Sequence, residues 1–287
     1  MRLRKMPTSH SAIQGVIERV MATPNAFSVV ESDNAWPSSS TSADTKVHLA
    51  VLDSSFNPPT SAHQSIASSI FPRLGEDKVD GYTARLLLYS PKNAAKTPTG
   101  KDATPLQRLE MMSLLASSMR SASLRKESIA TALIHAPNFS SKASILRSHL
   151  LSSLGPVRGK EAEMTFLVGM DTLVRIFDPK YYPTGEMHGI LREFFEDSGA
   201  RVVSARRGTS EADRVFEKDL LGRDDVKGWV GDGKVRVLGD GHDGWEDISS
   251  TLVREGVRRG DWSSVKKLVG DGVATYIQRE GLFNGSD

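Results

Sequence analysis

The residues best suited to chemistry lie in one short segment, Asp53 to His63 (DSSFNPPTSAH). An apolar run with the composition of a buried strand precedes it, and its two prolines forbid continued strand pairing and an early helix start. Thr60 is a good helix N-cap, which places His63 in the first helical turn. Because free backbone N–H groups and the helix dipole attract anions there, the segment predicts a phosphate site faced by a histidine.

A second helix start near the C-terminus repeats this pattern in the sequence ISSTLVR. Ser249, Ser250 and Thr251 supply hydroxyls that can cap a helix or donate to phosphate oxygens. Arg254 follows Ser250 by about one helical turn and adds a permanent bidentate charge. The three hydroxyls alone are more typical of a capped surface helix, but together with the first motif they favour a second anion site.

The elements that must position both motifs form a repeating strand and helix pattern. This pattern predicts an α/β fold of the Rossmann-like, doubly wound type, with a mostly parallel sheet and helices on both faces. A helix is predicted to begin at Pro105 after the cap Thr104, and others near 141–154 and 186–197 end at glycines. In such a sheet ligands bind beyond the carboxyl ends of the strands. The predicted strands are 47–53, 84–90, 128–136, 163–169, 201–206 and 234–239.

The first 46 residues are predicted to lie outside this domain, which spans 47–287. Residues 11–30 contain one amphipathic segment, and residues 37–42 (PSSSTS) form a low-complexity linker. The N-terminus is basic and has no apolar secretory core. A disordered basic tail is the preferred interpretation, with an organelle transit peptide as the alternative.

The composition argues against several classes of protein. The chain has 287 residues, 38% hydrophobic and 25% charged, which is ordinary globular material. A net charge of +2 without a clustered basic face gives no reason to expect nucleic acid or a membrane surface as partner. The lack of cysteine excludes disulfides and thiolate metal sites, and no apolar run approaches the roughly 18 residues of a membrane helix. We expect an intracellular protein, cytoplasmic or nuclear, with a mitochondrial location as the weaker alternative.

The two motifs together resemble the nucleotidyltransferase superfamily, and within it the nicotinamide mononucleotide adenylyltransferases. That family typically has GSFNPxTxxH after its first strand and ISSTxxR near its C-terminus, and the resemblance spans roughly residues 47–283. It implies that Thr60, His63 and Arg254 act on the phosphates of ATP as catalytic groups. At the first position of the first motif the family has glycine, whereas this chain has Ser54. The other residues that the resemblance places against the nucleotide are Ser54, Ser55, Phe56, Ser249, Ser250 and Thr251.

The resemblance also implies phosphate-binding residues in other loops. Lys92 and Lys96 lie in a segment similar to the loop that offers a lysine to substrate phosphates, and which of them serves is open. Arg206 matches an arginine that reaches phosphate or the acceptor nucleotide. Arg108 matches an arginine of the helix that follows the lysine loop, for which a structural role is the alternative.

The acceptor side follows the family less closely. Gly169 and Asp171 match its Gly-x-Asp, whose carboxylate binds ribose hydroxyls or the substrate amide. The family then places a tryptophan that stacks on the nicotinamide ring, whereas this chain offers Tyr181 and Tyr182, and a tyrosine stacks less extensively. The choice between nicotinamide and nicotinate mononucleotide is therefore open at the level of sequence.

The activity implied by the resemblance is transfer of AMP from ATP to nicotinamide mononucleotide, giving NAD and pyrophosphate. The acceptor phosphate attacks the α-phosphorus in line, so the protein mainly positions reactants and neutralises charge. Mg²⁺ is expected to bridge the ATP phosphates without a dedicated protein site. Two alternatives are another adenylyl- or cytidylyltransferase and a nucleotide-binding regulatory protein with weak turnover, the latter motivated by Ser54 and the missing tryptophan.

Overall fold

Eight strands form the framework of the part of the chain that the structure describes. The computed structural model describes residues 3–4, 10–33, 36–37, 46–70, 81–91, 102–122, 127–206, 208, 210–238, 245 and 247–285. The strands are β1 (Leu3–Arg4), β2 (Phe27–Asp33), β3 (His48–Asp53), β4 (Ala84–Tyr89), β5 (Ser128–Ile134), β6 (Glu163–Gly169), β7 (Ala200–Ala205) and β8 (Val235–Val237).

The strands join in one sheet of order β1-β2-β5-β4-β3-β6-β7-β8. From β3 to β8 all pairings are parallel. Within this parallel part, the chain starts at β3 and adds β4 and β5 on one side. It then returns and adds β6, β7 and β8 on the other side of β3. This is the doubly wound order, and its reversal next to β3 opens the crevice where ligands bind in such folds. The predicted fold class is confirmed, and all six predicted strands occur with ends displaced by at most two residues.

Helices cover both faces of this sheet. The three predicted helices are confirmed, although the third passes into a π-helical turn at Glu193–Asp197. A short 3-10 turn covers Pro179–Tyr181. Among the described residues no helix combines the length and apolar character needed to cross a membrane. The helices are α1 (His10–Ala22), α2 (Ser61–Ser68), α3 (Pro105–Ala122), α4 (Phe139–Leu154), α5 (Pro156–Glu161), α6 (Met170–Ile176), α7 (Met187–Arg192), α8 (Glu211–Gly222), α9 (Lys227–Gly231), α10 (Ser250–Arg258), α11 (Trp262–Val269) and α12 (Asp271–Arg279).

The apolar strands are buried because each face of the sheet packs against helices. Leu49 and Val51 of β3 face the cluster that includes α4 and α6. Ala50 and Leu52 point the other way, toward α1, α2 and α3. Burial on both faces explains why the strands are continuous hydrophobic runs without alternation. β3 is consequently held rigidly from both sides, with its carboxyl end at the crevice.

The segment before residue 47 contributes to the same sheet. The amphipathic segment predicted over residues 11–30 forms α1, which ends at Ala22. The chain then forms β2, antiparallel to β5. Sequence patterning did not predict β2, because its second half places the carboxylates of Glu31 and Asp33 in buried positions. Arg120 of α3 compensates both, at 2.9 and 3.0 Å. The sheet therefore extends across the predicted domain boundary, while most of the predicted linker lies outside the described residues.

A buried polar cluster lies at the amino end of the central strands, opposite the crevice. The Nε2 atom of His48 is 3.1 Å from Thr165 Oγ1, and the His48 ring contacts that of Tyr82 at 4.6 Å. Burial lowers the pKa of His48 to about 4, partly opposed by the nearby carboxylate of Glu163. The imidazole is therefore neutral in the folded protein at neutral pH.

The free energy of unfolding should fall as the pH is lowered from about 6.5 to about 4. Over this window the unfolded chain protonates His48 and the folded protein does not, which costs roughly 3 kcal/mol of stability. Urea titrations across this range should show a weaker decline for His48→Gln. The control is His188→Gln on the exposed surface of α7. An identical decline in wild type and His48→Gln would contradict the prediction.

Candidate active site

The first motif forms the turn at the carboxyl end of β3. The backbone N–H of Ser54 donates to the carbonyl of Leu88 at the end of β4, at 3.2 Å, which anchors the start of the turn to the sheet. Phe56 has φ of 45°, an unfavourable conformation for a bulky residue, and its side chain is completely buried. Burial of this ring in the core holds the turn in its strained shape.

His63 is held at the start of α2 by a reciprocal cap. Thr60 is the N-cap, and its Oγ1 accepts from the N–H of His63 at 3.4 Å. In return, the N–H of Thr60 donates to His63 Nδ1 at 3.1 Å, so the imidazole takes the place that a glutamate or glutamine has in the usual capping box. The predicted cap and the predicted position of the histidine are both confirmed.

The protonation state of His63 follows from this geometry. A backbone N–H can only donate, so Nδ1 is the accepting nitrogen and the ring proton lies on Nε2. Burial lowers the pKa of His63 to about 4, so the ring is neutral at neutral pH. His63 Nε2 lies 2.9 Å from Ser54 Oγ. The residue is therefore arranged as a neutral hydrogen-bond donor.

The second motif lies directly on the first. Ser250 Oγ donates to the carbonyl of Pro58 at 2.8 Å, and Arg254 Nη1 donates to the carbonyl of Asn57 at 2.7 Å. Ser249 caps α10, with its Oγ accepting from Leu252 N–H at 3.2 Å. Contacts between residues 192 positions apart thus bring the N-termini of α2 and α10 to one turn, and two partial positive charges meet there.

The Thr251 hydroxyl supports Arg254. Its Oγ1 accepts from Arg254 Nη2 at 3.0 Å, one helical turn away. The arginine therefore bonds the turn with one nitrogen and its own helix with the other. These two contacts fix the guanidinium at the crevice, and its role toward phosphate stays a prediction.

A third support comes from α3. Arg108 donates from Nη1 to the carbonyl of Ser55 at 3.1 Å and from Nε to that of Ala103 at 2.8 Å. The side-chain oxygen of Asn57 accepts from Ala103 N–H at 3.0 Å, while its amide donates to Asp102 Oδ1. These contacts favour the structural alternative for Arg108, which fixes the backbone of the turn.

Lys142 is a neighbour of the site that sequence reasoning missed. It lies in the first turn of α4, and its Nζ pairs with Asp53 Oδ2 at 2.5 Å, with both side chains largely buried. The ammonium also lies 5.3 Å from the ring centre of Phe139. The signal available in the sequence is a lysine at helical spacing from the apolar residues Leu146 and Leu150. The pair fixes the residue immediately before Ser54.

The predicted acceptor residues share the edge formed by β6 and β7. Gly169 pairs with Ala205, so Arg206 follows at the same level as the start of α6. Gly169 is the N-cap of α6, and Asp171 lies within the first turn of that helix. Arg206 makes a bidentate pair with Glu217 of α8, from Nε at 2.9 Å and from Nη2 at 2.9 Å. Its charge is thus already compensated.

The two tyrosines differ in their surroundings. The Tyr182 hydroxyl donates to the carbonyl of Ile176 at 2.5 Å, its ring packs against the core, and burial raises its pKa to about 12. Tyr181 is 45% exposed, with the ammonium of Lys180 lying 4.9 Å from its ring centre. Of the two, Tyr181 is the one with an accessible ring.

The remaining predictions concern lysines and metals. Lys92 and Lys96 lie outside the described residues. Within the described ranges, no group of three or more histidine, aspartate or glutamate side chains is arranged to hold a metal ion.

Comparisons with known proteins find relatives in sequence and in fold. The chain is 30% identical over 236 residues to a Schizosaccharomyces pombe protein described as a nicotinamide mononucleotide adenylyltransferase, covering 80% of this chain and 84% of that one. It is 28% identical to a Chlorobium luteolum protein described as a nicotinate-nucleotide adenylyltransferase, covering 83% and 98%. The structure of Plasmodium falciparum nicotinic acid mononucleotide adenylyltransferase matches with a TM-score of 0.50 at 14% identity, covering 84% and 98%, which shows similarity of fold. No protein-family model matches the chain.

The bond between the two motifs can be tested with Arg254→Met. This variant removes a charge-assisted hydrogen bond to the carbonyl of Asn57, and we expect the free energy of unfolding to fall by about 1.5 to 3 kcal/mol. Arg259→Met, at the exposed end of the same helix, is the matched control and should change stability by less than about 0.5 kcal/mol. Urea denaturation measures both. Equal stabilities for the two variants would show that the contact contributes nothing.

Proposed function

We propose that this chain, which belongs to the nicotinamide/nicotinate mononucleotide adenylyltransferase family of nucleotidyltransferases, uses nicotinamide mononucleotide as its acceptor. The products are NAD and pyrophosphate, formed by transfer of AMP from ATP. Membership of the family establishes adenylyl transfer in NAD biosynthesis. The choice of the amide acceptor over the acid is the part that is proposed.

One observation carries the assignment of the nucleotide site, namely the contact of Ser250 and Arg254 with the turn after β3. A triphosphate needs several donors and a net positive potential within a short distance. The first turns of α2 and α10 supply backbone N–H groups, and Arg254 supplies a permanent charge. Both helices start at the switch point of the sheet, where a nucleotide binds in this architecture.

The mechanism derived from these residues is positioning and charge stabilisation. The acceptor phosphate attacks the α-phosphorus in line, and negative charge accumulates on the oxygens around phosphorus and on the leaving pyrophosphate. Because His63 is neutral with its proton on Nε2, it contributes to the stabilisation of this charge as a hydrogen-bond donor and not as a cation. Mg²⁺ bound to the ATP phosphates would supply further neutralisation of this charge.

The electrostatics of the acceptor side favour an uncharged amide. A nicotinate carboxylate is best recognised by a cation without a competing partner, but the guanidinium of Arg206 already binds Glu217 at two nitrogens. The carboxylate of Asp171, in the first turn of α6, can accept from a carboxamide N–H₂ and would repel a carboxylate. Both features support nicotinamide mononucleotide.

The assignment is tested by incubating the purified protein with Mg-ATP and either mononucleotide, and measuring dinucleotide and pyrophosphate together. We expect equal amounts of NAD and pyrophosphate, with a higher kcat/KM for nicotinamide mononucleotide than for the nicotinate form. A higher kcat/KM for the nicotinate form would reverse the acceptor assignment. ATP binding without release of pyrophosphate from ATP in the presence of either acceptor would favour the regulatory alternative.

The role of Glu217 in acceptor choice gives a further prediction. Glu217→Gln removes the charge that compensates Arg206, so kcat/KM for nicotinate mononucleotide should rise relative to that for nicotinamide mononucleotide by about tenfold, equivalent to about 1.4 kcal/mol. Asp219→Asn removes an exposed carboxylate from the same helix and should leave the ratio unchanged. If both variants keep the wild-type ratio, the pair does not determine acceptor choice.

A further inference from the structure

The imidazole of His63 has both nitrogens engaged in the folded protein. Nδ1 accepts from the N–H of Thr60 at 3.1 Å and lies 2.8 Å from Thr60 Oγ1. Nε2 lies 2.9 Å from Ser54 Oγ. A neutral imidazole has one acceptor and one donor, so the two positions are both used. A phosphate must therefore either displace Ser54 or be contacted through it.

The backbone holds Ser54 in place. Its N–H bonds the carbonyl of Leu88 in the neighbouring strand at 3.2 Å, and the residue before it, Asp53, pairs with the buried Lys142. On the other side, the cap of α2 fixes the His63 ring. The hydrogen bond between Ser54 and His63 thus joins two anchored groups across the turn, which makes displacement of the hydroxyl costly.

The direction of this hydrogen bond leaves the serine with a proton to offer. Because Nε2 carries the ring proton, it donates and Ser54 Oγ accepts. A hydroxyl that accepts one hydrogen bond can still donate its own O–H to another acceptor. Hydrogen bonds in such a chain polarise one another, so the hydroxyl becomes a stronger donor than an isolated serine. Ser54 is partly exposed at the carboxyl end of β3, where the crevice opens.

We propose that Ser54 is a catalytic residue, with its hydroxyl receiving a hydrogen bond from His63 Nε2–H and donating its own to a phosphate oxygen of ATP. This inference rests on the proposed function. No proton is transferred along the chain; both groups stabilise the transition state as hydrogen-bond donors. The serine thus replaces the glycine of related sequences with a donor, and His63 acts on phosphate through it.

A double-mutant cycle tests the proposal. The variants are Ser54→Ala, His63→Ala and the combination of both, with Ser54→Gly restoring the family residue. We expect Ser54→Ala and Ser54→Gly to lower kcat by about 10- to 100-fold with smaller changes in KM. The double variant should be no slower than His63→Ala, because the two groups act as one unit. Ser68→Ala, which removes an exposed hydroxyl from the last position of α2, is the matched control and should keep the wild-type kcat.

Two kinetic results would overturn the proposal. Wild-type or higher activity in Ser54→Gly would mean that phosphate displaces the hydroxyl and contacts His63 directly. Additive losses in the double variant would mean that the two residues act separately. Either result, obtained with an active wild-type enzyme, leaves the proposed function intact and removes only the role of Ser54.

A spectroscopic measurement keeps the test independent of turnover. In NMR spectra of protein with ¹⁵N-labelled histidine, the chemical shift of His63 Nε2–H is followed while a non-hydrolysable ATP analogue is added. The shift induced in the wild type should differ from that in Ser54→Ala, because only the wild type has the hydroxyl between imidazole and phosphate. Identical shifts in the wild type and in Ser54→Ala would overturn the proposal, whether or not the protein turns over. A lack of turnover with every acceptor would refute the proposed function separately, in the kinetic assay.

Discussion

The active site depends on the bonds from α10 to the carbonyls of Asn57 and Pro58. Each motif alone is a helix start of a common type. Brought together, they place two helix N-termini and a fixed guanidinium around a single turn, which is the charge distribution that a triphosphate requires. The turn can be held there because Phe56 is locked into the core and Arg108 supports the backbone from α3.

The second principle of the site is that positive charge and hydrogen-bond donation are assigned to different residues. Arg254 carries permanent charge, whereas His63 is kept neutral by burial and by the N–H of Thr60 at Nδ1. A neutral imidazole with a defined tautomer is a directed donor that does not change charge during the reaction. In the role proposed for it, Ser54 extends this donor toward the crevice, so a position that departs from the family pattern acquires a chemical purpose in this chain.

The acceptor half is governed by compensation of charge. Arg206 and Glu217 form a pair whose net charge is zero, and Asp171 adds a negative group at the same sheet edge. In the function that we propose, a site with this balance would discriminate between an amide and a carboxylate by repelling the second as much as by binding the first. Two adjacent tyrosines also differ in their surroundings, since the ring of Tyr181 is exposed and the ring of Tyr182 packs against the core.

The sequence by itself determined the α/β fold, the six parallel strands, the cap at Thr60 and the types of residue at both helix starts, because these depend on local periodicity and on nearby capping and turn residues. Only the tertiary structure revealed that β2 joins the sheet, that Lys142 pairs with Asp53, that Glu217 compensates Arg206, and that Ser54 bonds His63. The first three are contacts whose partners are set by packing between separate elements. The last joins residues nine positions apart, but its geometry depends on the strained turn between them, which the buried core holds in place.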